Sequence, residues 1–586
     1  MSRQIRVPAC PLQATAFACL LLVTSFGAQA QGIPSAPKPF VEELRQQERE
    51  RTLREQQERN VDTRPQEEAR TEDQRLPAQE APCFRIDRLT LTGERSDSFE
   101  WVLDAAAGLR GDDSPMGRCI GTQGVNIVLA RLQQALIAKG WVTTRVLATP
   151  QDLSQGTLML TIVPGRIAAI RFAGGTDSGY GATTSLRNAI PAQPGDLLNL
   201  RDIEQGLENL KRLPTAEADI QIEPSTAPGA KPGESDLVVK YSRKFPLRTT
   251  LSLDDSGTKA TGQNQTGATV AWDGPLGLDD LAYVSLNHDA FNHKGSGTYG
   301  QTLHYSIPYG DWLLGATASR NGYHQTVAGL TQSYIYSGES RNAEVRLSRL
   351  LYRDAKRKTT AALRVQRRSS TSDIDDTEIE IQRRVVSSWE ASLNHKEYIG
   401  EATLEGTLAW RQGFKDFGAL AAPEEAFDEG TSRFRLATAE VSANVPFSLG
   451  GQKLRYSGLW RAQWNRTNLA PLDRFAIGGR YTVRGFDGES TLLGDRGFLI
   501  RNDLGLAIGQ TGAELYVGMG YGQVGGRSTQ QLIGTHLAGA VLGVRGEVKA
   551  AGTQLTYDVF VGTPISKPEG FRTGKVTAGF NLNFSF

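Results

Sequence analysis

Past its first thirty residues this 586-residue chain has no apolar run approaching the roughly 20 residues that a membrane helix needs. Any passage through a bilayer must therefore be built from strands that pair with one another and close. Surplus charge is missing too: 65 Lys and Arg against 64 Asp and Glu leave a formal net charge of +1. That lacks the basic excess of a nucleic-acid binder, so no nucleic-acid partner is expected. Histidine is scarce and scattered. His288, His293, His304, His324, His395 and His536 include no i, i+4 pair of a zinc helix, and no G-x-S-x-G elbow offers a nucleophile. The expectation is no enzyme, no catalytic residue, no metal and no cofactor. Two lookalikes fail on inspection. Gly570-Phe571-Arg572-Thr573-Gly574-Lys575 has one residue too few between its glycines for a phosphate loop and Val576 after its Lys, and Gly518-x-Gly520-x-Gly522 lacks the following helix of a dinucleotide site. Disorder is excluded in turn, with 39% hydrophobic and 22% charged residues.

What is present begins with an export signal over residues 1–30. Arg3 and Arg6 precede an apolar stretch from about Ala14 to Phe26, and Ala28-Gln29-Ala30 supplies small residues where a signal peptidase reads. Cys19 lies within that stretch with no Leu three residues before it, which argues against a lipoprotein. Of four cysteines, Cys10 and Cys19 leave with the signal. Cys83 and Cys119 remain, and in an oxidising periplasm they should pair, closing a loop worth roughly 3–4 kcal/mol in the chain-entropy model. Two separate buried thiols are the alternative; two ligands without a nearby His do not make a metal site.

The mature chain divides clearly. Within residues 31–59, Glu42 to Arg59 is almost wholly polar, with Glu50–Arg54 and Glu55–Arg59 pairs at i, i+4 spacing, and reads as a helix without an apolar stripe. Such a helix is either solvated or housed in something polar. Residues 60–81 contain Pro65, Pro77, many charges and no periodicity, the composition of a linker. Two small α/β modules follow, over 82–164 and 165–243. The first opens with a strand Phe84–Leu91 and has a helix with Val125, Val128, Leu129, Leu132 and Leu136 on one face, then strands near Val142–Ala148 and Thr157–Val163. The second has strand Arg166–Phe172, a short helix near Thr184–Ala189, a helix Leu200–Leu213 started by Asn199 and stopped by Pro214, and strands Ala218–Glu223 and Asp236–Tyr241. At about 80 residues each they favour packing against a neighbour.

From 244 to 586 the pattern becomes short alternating segments and turns. Shared among sixteen strands, these residues give about 21 per strand with its connection, which suits a membrane strand of roughly 10 residues. Short turns near Trp272–Asp279, Pro308–Asp311 and Gln510–Ala513 contrast with long polar stretches at Asn321–Glu339 and Phe414–Ser432. The end is the most telling part: Val576, Ala578, Phe580, Leu582, Phe584 and Phe586 share one face of a last strand, with no chain left to cover them. A lipid-facing strand needs that face, and it reads as a C-terminal barrel signal. The fold class is an outer-membrane β-barrel of about sixteen antiparallel strands with two periplasmic α/β modules.

The segment Phe475-Ala476-Ile477-Gly478-Gly479-Arg480-Tyr481-Thr482-Val483-Arg484-Gly485-Phe486-Asp487 resembles the VRGF/Y loop of the outer-membrane transporters of two-partner secretion, the TpsB family. Pro82-Cys83-Phe84 with Arg118-Cys119-Ile120, Leu207 to Pro214, Asp273 to Leu278 and the terminal Phe586 match in the family's order. The resemblance runs from about Phe40 to the end. It implies two POTRA domains, a sixteen-stranded barrel, and a mobile N-terminal helix that plugs the pore. It implies a partner too: a large secreted β-helical exoprotein of the TpsA type, whose unfolded secretion domain the POTRA domains recognise and which passes through the barrel without nucleotide hydrolysis. Haemolysin, adhesin and contact-dependent toxin exporters look alike at this level. Outer-membrane lipid and, during biogenesis, the barrel-assembly machinery complete the expected partners. The alternative is a BamA-type assembly insertase, but that type usually has five POTRA domains, and the mature chain ahead of the barrel accommodates two.

In the family the loop, here 475–497 between strands eleven and twelve, folds into the lumen with the motif Val483, Arg484, Gly485 and Phe486, and its Arg pairs with an acidic wall residue. Here the chain departs from the pattern. The family often shows Tyr-x-x-x-Asp-x-Gly, whereas Tyr516-Val517-Gly518-Met519-Gly520-Tyr521-Gly522 places Gly520 at the acidic position. Asp503 and Glu514 are then the nearest acidic candidates.

Overall fold

A computed structural model describes residues 39–58, 62–63, 74–173, 182–291, 295–550 and 552–586. The signal segment and His293 lie outside these residues.

The polar segment folds as helix α1, Pro39–Gln57. In the first module, helix α2 (Thr122–Ala138) packs Val128, Leu132 and Leu136 against Leu158, Leu160 and Ile162. The expected strand Phe84–Leu91 is instead two strands broken at Asp87: Phe84–Ile86 pairs with Arg118–Ile120, and Arg88–Gly93 runs parallel to Thr157–Val163. The break re-aims the chain, because the Asp87 and Arg88 N–H groups both donate to the Gly156 carbonyl. The strand expected over Val142–Ala148 shortens to Arg145–Leu147. Cys83 and Cys119 are joined, with Cα atoms 5.3 Å apart, beside the small strand pair.

The linker is shorter than its composition suggests. Leu76 enters the first module's core at 5% exposure. Arg131 donates to the Gln74 carbonyl at 2.7 Å, and the Glu80 carboxylate accepts from the N–H groups of Gly121, Gln123 and Gly124 at the start of α2. A helix N-terminus has free donors and a positive dipole end, so a carboxylate arriving from outside the helix is stabilised there. A polar, aperiodic stretch can therefore still dock, through one Leu and one Glu.

The second module has helices α3 (Ala182–Ala189) and α4 (Leu200–Lys211), the latter capped by Asn199, whose side chain accepts from the Arg201 N–H at 2.9 Å. Its sheet runs in the order Arg166–Phe172, Glu234–Arg243, Ala216–Pro224.

The barrel is a closed antiparallel sheet of sixteen wall strands. These are β1 Leu247–Asp254, β2 Gln265–Asp273, β3 Leu281–Asp289, β4 Ser296–Tyr309, β5 Trp312–Ala328, β6 Ser333–Arg353, β7 Arg357–Ile374 and β8 Arg384–Ile399. The second half is β9 Ala402–Phe414, β10 Arg435–Leu449, β11 Gln452–Asn465, β12 Arg496–Ile508, β13 Ala513–Gly525, β14 His536–Ala550, β15 Thr553–Ser566 and β16 Thr577–Ser585. A two-residue strand, Thr377–Glu378, folds back on the top of β7 outside the wall. Closure is β16 on β1, with Leu582 opposite Leu253 and Phe584 opposite Leu251; Phe586 adds two backbone hydrogen bonds to Thr249. Ala578 and Phe584 are exposed on this wall while Thr577 and Gly579 are buried, so the terminal face points outward. The stretch Asn321–Glu339, expected as a loop, is mostly strand: β5 and β6 pair continuously to Ala328 and Ser333. Alternating Tyr and β-branched residues favour pairing whether or not lipid is present, so polarity hid two strands that run past the bilayer.

Candidate functional site

Helix α1 lies inside the barrel, and its charged residues find partners on the wall. Glu48 pairs with Arg461 at 2.9 Å on β11, Arg51 with Glu440 at 2.6 Å on β10, and Glu43 with Arg368 at 3.4 Å on β7. Arg54 pairs with Glu344 on β6 and also donates to Thr317 at 3.2 Å. Glu50 accepts from Asn321, and Arg49 donates to Gln265. Leu53 packs near Leu213, Ala271 and Leu281, and Val41 is buried near the other end of the helix. A helix with no apolar stripe is thus housed in a wall of matching polarity. It does not fill the lumen. A cavity of about 1040 Å³ remains along Arg346, Arg364, Glu390 and Arg411, and another of about 870 Å³ beside Arg484, Arg501 and Asn581.

The connection between β11 and β12 folds inward differently. Phe475–Ile477 and Leu492–Gly494 form a short hairpin. Phe475, Ile477, Val483, Phe486 and Leu492 make an apolar cluster with Leu499, Val524, Leu537 and Phe571 of the wall and its loops. Phe486 meets Phe571 edge-on, ring centroids 5.8 Å apart. The backbone of the tip touches the wall directly: Gly485 has φ +92°, and a Cβ there would meet the Thr563 carbonyl oxygen at 2.6 Å. A Cβ on Gly539 would overlap the Arg484 carbonyl oxygen, so β14 must be bare at this point.

Arg484 is buried, pairs with Asp503 of β12 and lies 5.5 Å from the Tyr516 ring centroid. Glu514, the other candidate, is engaged elsewhere, with Arg455 and Arg545, both at 2.6 Å. Asp503 sits opposite Gly518 in register, one strand away from the position of the family's acid. Gly520 faces the motif backbone, where a Cβ would stand 3.5 Å from the Arg484 nitrogen. The acidic group is therefore supplied from β12, while β13 supplies room.

Sequence reasoning missed Asp473. It anchors the same connection from its start, pairing with Arg368 at 3.2 Å and Arg411 at 3.4 Å on the wall; its burial in a polar loop gave no signal. It also missed the junction between the second module and the periplasmic barrel rim. Arg353, at the end of β6, donates to Glu204 at 3.0 Å and Glu208 at 2.8 Å on α4, and to the Thr63 carbonyl of the linker. Asn209 donates to the Gly310 carbonyl and Arg212 to that of Asp279. Asp62 receives Lys396 and Tyr398. Burial disfavours the charged form of Glu208, but Arg353 and Lys358 outweigh it and hold the carboxyl below its usual range. Asp202 of α4 goes the other way: burial, then the carboxylates of Asp311 and Asp196, push it up to about 6.

The family model described as "Haemolysin secretion/activation protein ShlB/FhaC/HecB" matches residues 233–546, and POTRA models match 102–165 and 166–224. The chain is 39% identical over 517 residues to the outer membrane transporter CdiB-2 of Burkholderia pseudomallei, covering 86% of this chain and 87% of that one. It is 26% identical to the hemolysin transporter protein ShlB of Serratia marcescens, covering 66% and 67%. Among solved structures, CdiB from Acinetobacter baumannii superposes with a TM-score of 0.80 at 29% identity, covering 93% of this chain and 98% of that one. Barrel, paired POTRA domains and lumen helix together with these matches place the chain in the ShlB/FhaC/HecB family, the outer-membrane TpsB transporters of two-partner secretion, with its POTRA domains in the periplasm.

Proposed function

We propose that the protein exports one large, unfolded partner through its barrel, with α1 as the resting plug and the POTRA domains as the receptor. The observation that carries this reading is a lumen occupied by a helix whose contacts are nearly all polar, beside cavities of about 1040 and 870 Å³. The more exposed of these pairs, such as Arg51 with Glu440, are individually weak, about 0–1 kcal/mol, and can be exchanged for water, while the buried Glu43–Arg368 pair is the firmer hold. A plug so held can leave at modest cost.

Recognition falls to sheet edges. Arg166–Phe172 and Ala216–Pro224 flank the second module's sheet, and Arg88–Gly93 and Arg145–Leu147 the first's. An extended segment can add to such an edge by backbone pairing. The expected partner is a β-helical exoprotein, and its folding outside supplies direction, so no nucleotide is needed. Arg484 with Asp503 fixes the inward loop, with a bidentate-capable guanidinium that Lys would not reproduce. The test is export by the purified chain in lipid vesicles, without nucleotide, of the unfolded secretion domain of its cognate exoprotein. Uptake of that domain but not of an unrelated unfolded chain supports the reading; equal uptake, or none without ATP, contradicts it.

A further inference from the structure

Charge appears on the outside of the barrel where a lipid-facing surface ends. Strand alternation fixes the sides. On β5, Thr317 and Asn321 meet α1, so Ala316, Ala318 and Arg320 face outward. On β6, Glu344 meets Arg54, so Val345, Ala343, Arg341 and Glu339 face outward. On β7, Arg368 meets Glu43, so Leu363, Val365 and Arg367 face outward. The apolar surface on these strands therefore runs up to Ala318, Ala343 and Val365, and the next outward residues are Arg320, Arg341 and Arg367.

Register brings the three together. Arg320 stands directly opposite Arg341, and Arg367 stands opposite Ala343, diagonal to Arg341. Like charges opposite each other in a sheet are unfavourable. Glu339 bridges Arg320 and Arg341, at 2.6 Å to each, but one carboxylate cannot neutralise three guanidiniums. Arg367 donates to the Phe417 carbonyl, an uncharged partner. The periplasmic end is fixed by the POTRA junction at Gly310 and Arg353. On β6 the outward Arg349, stacked over the ring of Trp312 opposite it, marks the lower edge of that surface. At about 3.3 Å per residue along a strand tilted about 40°, the rise from there to Arg341 is about 20 Å, and the long Arg side chain extends it toward the roughly 25 Å apolar band of such barrels. The cluster thus lies at the outer headgroup level. By contrast, the outward faces from Phe498 to Ile508 on β12 and from Leu515 to Tyr521 on β13 carry no cation.

We propose that Arg320, Arg341 and Arg367 bind the phosphate groups of the glycolipid that forms the outer leaflet. Guanidinium pairs bind phosphate through paired N–H donors, and cations at a membrane surface gain about fivefold in affinity each for an anionic lipid. Exposure supports access: the Arg320 and Arg341 side chains are 49% and 65% exposed.

The test uses the full chain in detergent micelles titrated with lipid A or with its dephosphorylated form, bound lipid being counted by native mass spectrometry. The variant carrying Arg320→Gln, Arg341→Gln and Arg367→Gln should bind lipid A roughly 100-fold more weakly, and dephosphorylated lipid A should bind wild type and variant alike. Glu339→Gln, which frees two guanidiniums, should bind lipid A several-fold more tightly. Equal binding of lipid A by wild type and triple variant, or wild-type preference for the dephosphorylated form, overturns the proposal. If the triple variant does not fold, Glu339→Gln decides alone, and unchanged affinity there overturns it.

Discussion

Helix α1 and the hairpin 475–494 occupy one lumen, yet α1 meets the wall through charged and amide side chains, and the hairpin meets it through Phe486, Val483 and Ile477 packed on Phe571, Leu537 and Val524. Water and salt compete with the first set of contacts and not with the second. Under the proposed function, one barrel holds a removable occupant beside a permanent one. Composition decides which is which.

The largest expected effect separates the two outright. Deleting residues 38–59 should raise single-channel conductance in planar bilayers several-fold while the barrel keeps its heat resistance; unchanged conductance would show that α1 does not block the pore. Next, Arg484→Ala should cut export at least tenfold, Asp503→Asn nearly as much, and Glu514→Gln little, because Asp503 holds the guanidinium and Glu514 is engaged by Arg455 and Arg545. Secretion assays on the three would sharpen the contrast, and an effect of Glu514→Gln equal to that of Asp503→Asn would undo it. Phe486→Ala, at a side chain 5% exposed, should destabilise the loop by about 3–5 kcal/mol, seen as protease cleavage within 475–494 that wild type resists. Arg51→Ala, by comparison, should cost α1 no more than about 1 kcal/mol and make the pore open more often.

The smallest effect concerns the junction. The folded-state pKa of Asp202 is raised to about 6, so the protonated form is favoured by the docked state. That contribution is fully present below the usual carboxylate pKa and is lost as pH rises through about 6. Attachment of the second POTRA domain should be tighter at pH 5 than at pH 7.5, and Asp202→Asn should flatten the difference; hydrogen exchange in α4 measures both.

Much of this was legible beforehand. Alternation in β16 placed the barrel because period two with an uncovered apolar face has few other uses, and the missing stripe of α1 pointed to a polar housing. Arg484 was legible through its motif. Its partner was not: the candidates Asp503 and Glu514 differ by which strand crosses under the loop tip, and register is a property of the closed sheet. Leu76 and Glu80 were hidden because a single apolar residue and a single carboxylate leave no periodic trace, although each docks firmly on the first POTRA domain. The top of β5 and β6 was misread for a related reason, since polarity marks contact with water and not the absence of pairing.

The most direct test of removable against permanent occupancy is a pair of tethers. Arg51→Cys with Glu440→Cys joins α1 to β10, and Arg480→Cys with Asp255→Cys joins the inward loop to the chain just beyond β1, each through a short cleavable bismaleimide. Export measured before and after cleavage should be blocked by the α1 tether, restored on cutting it, and nearly unaffected by the loop tether. Export that continues with α1 tethered, or stops only when the loop is tethered, would contradict the account.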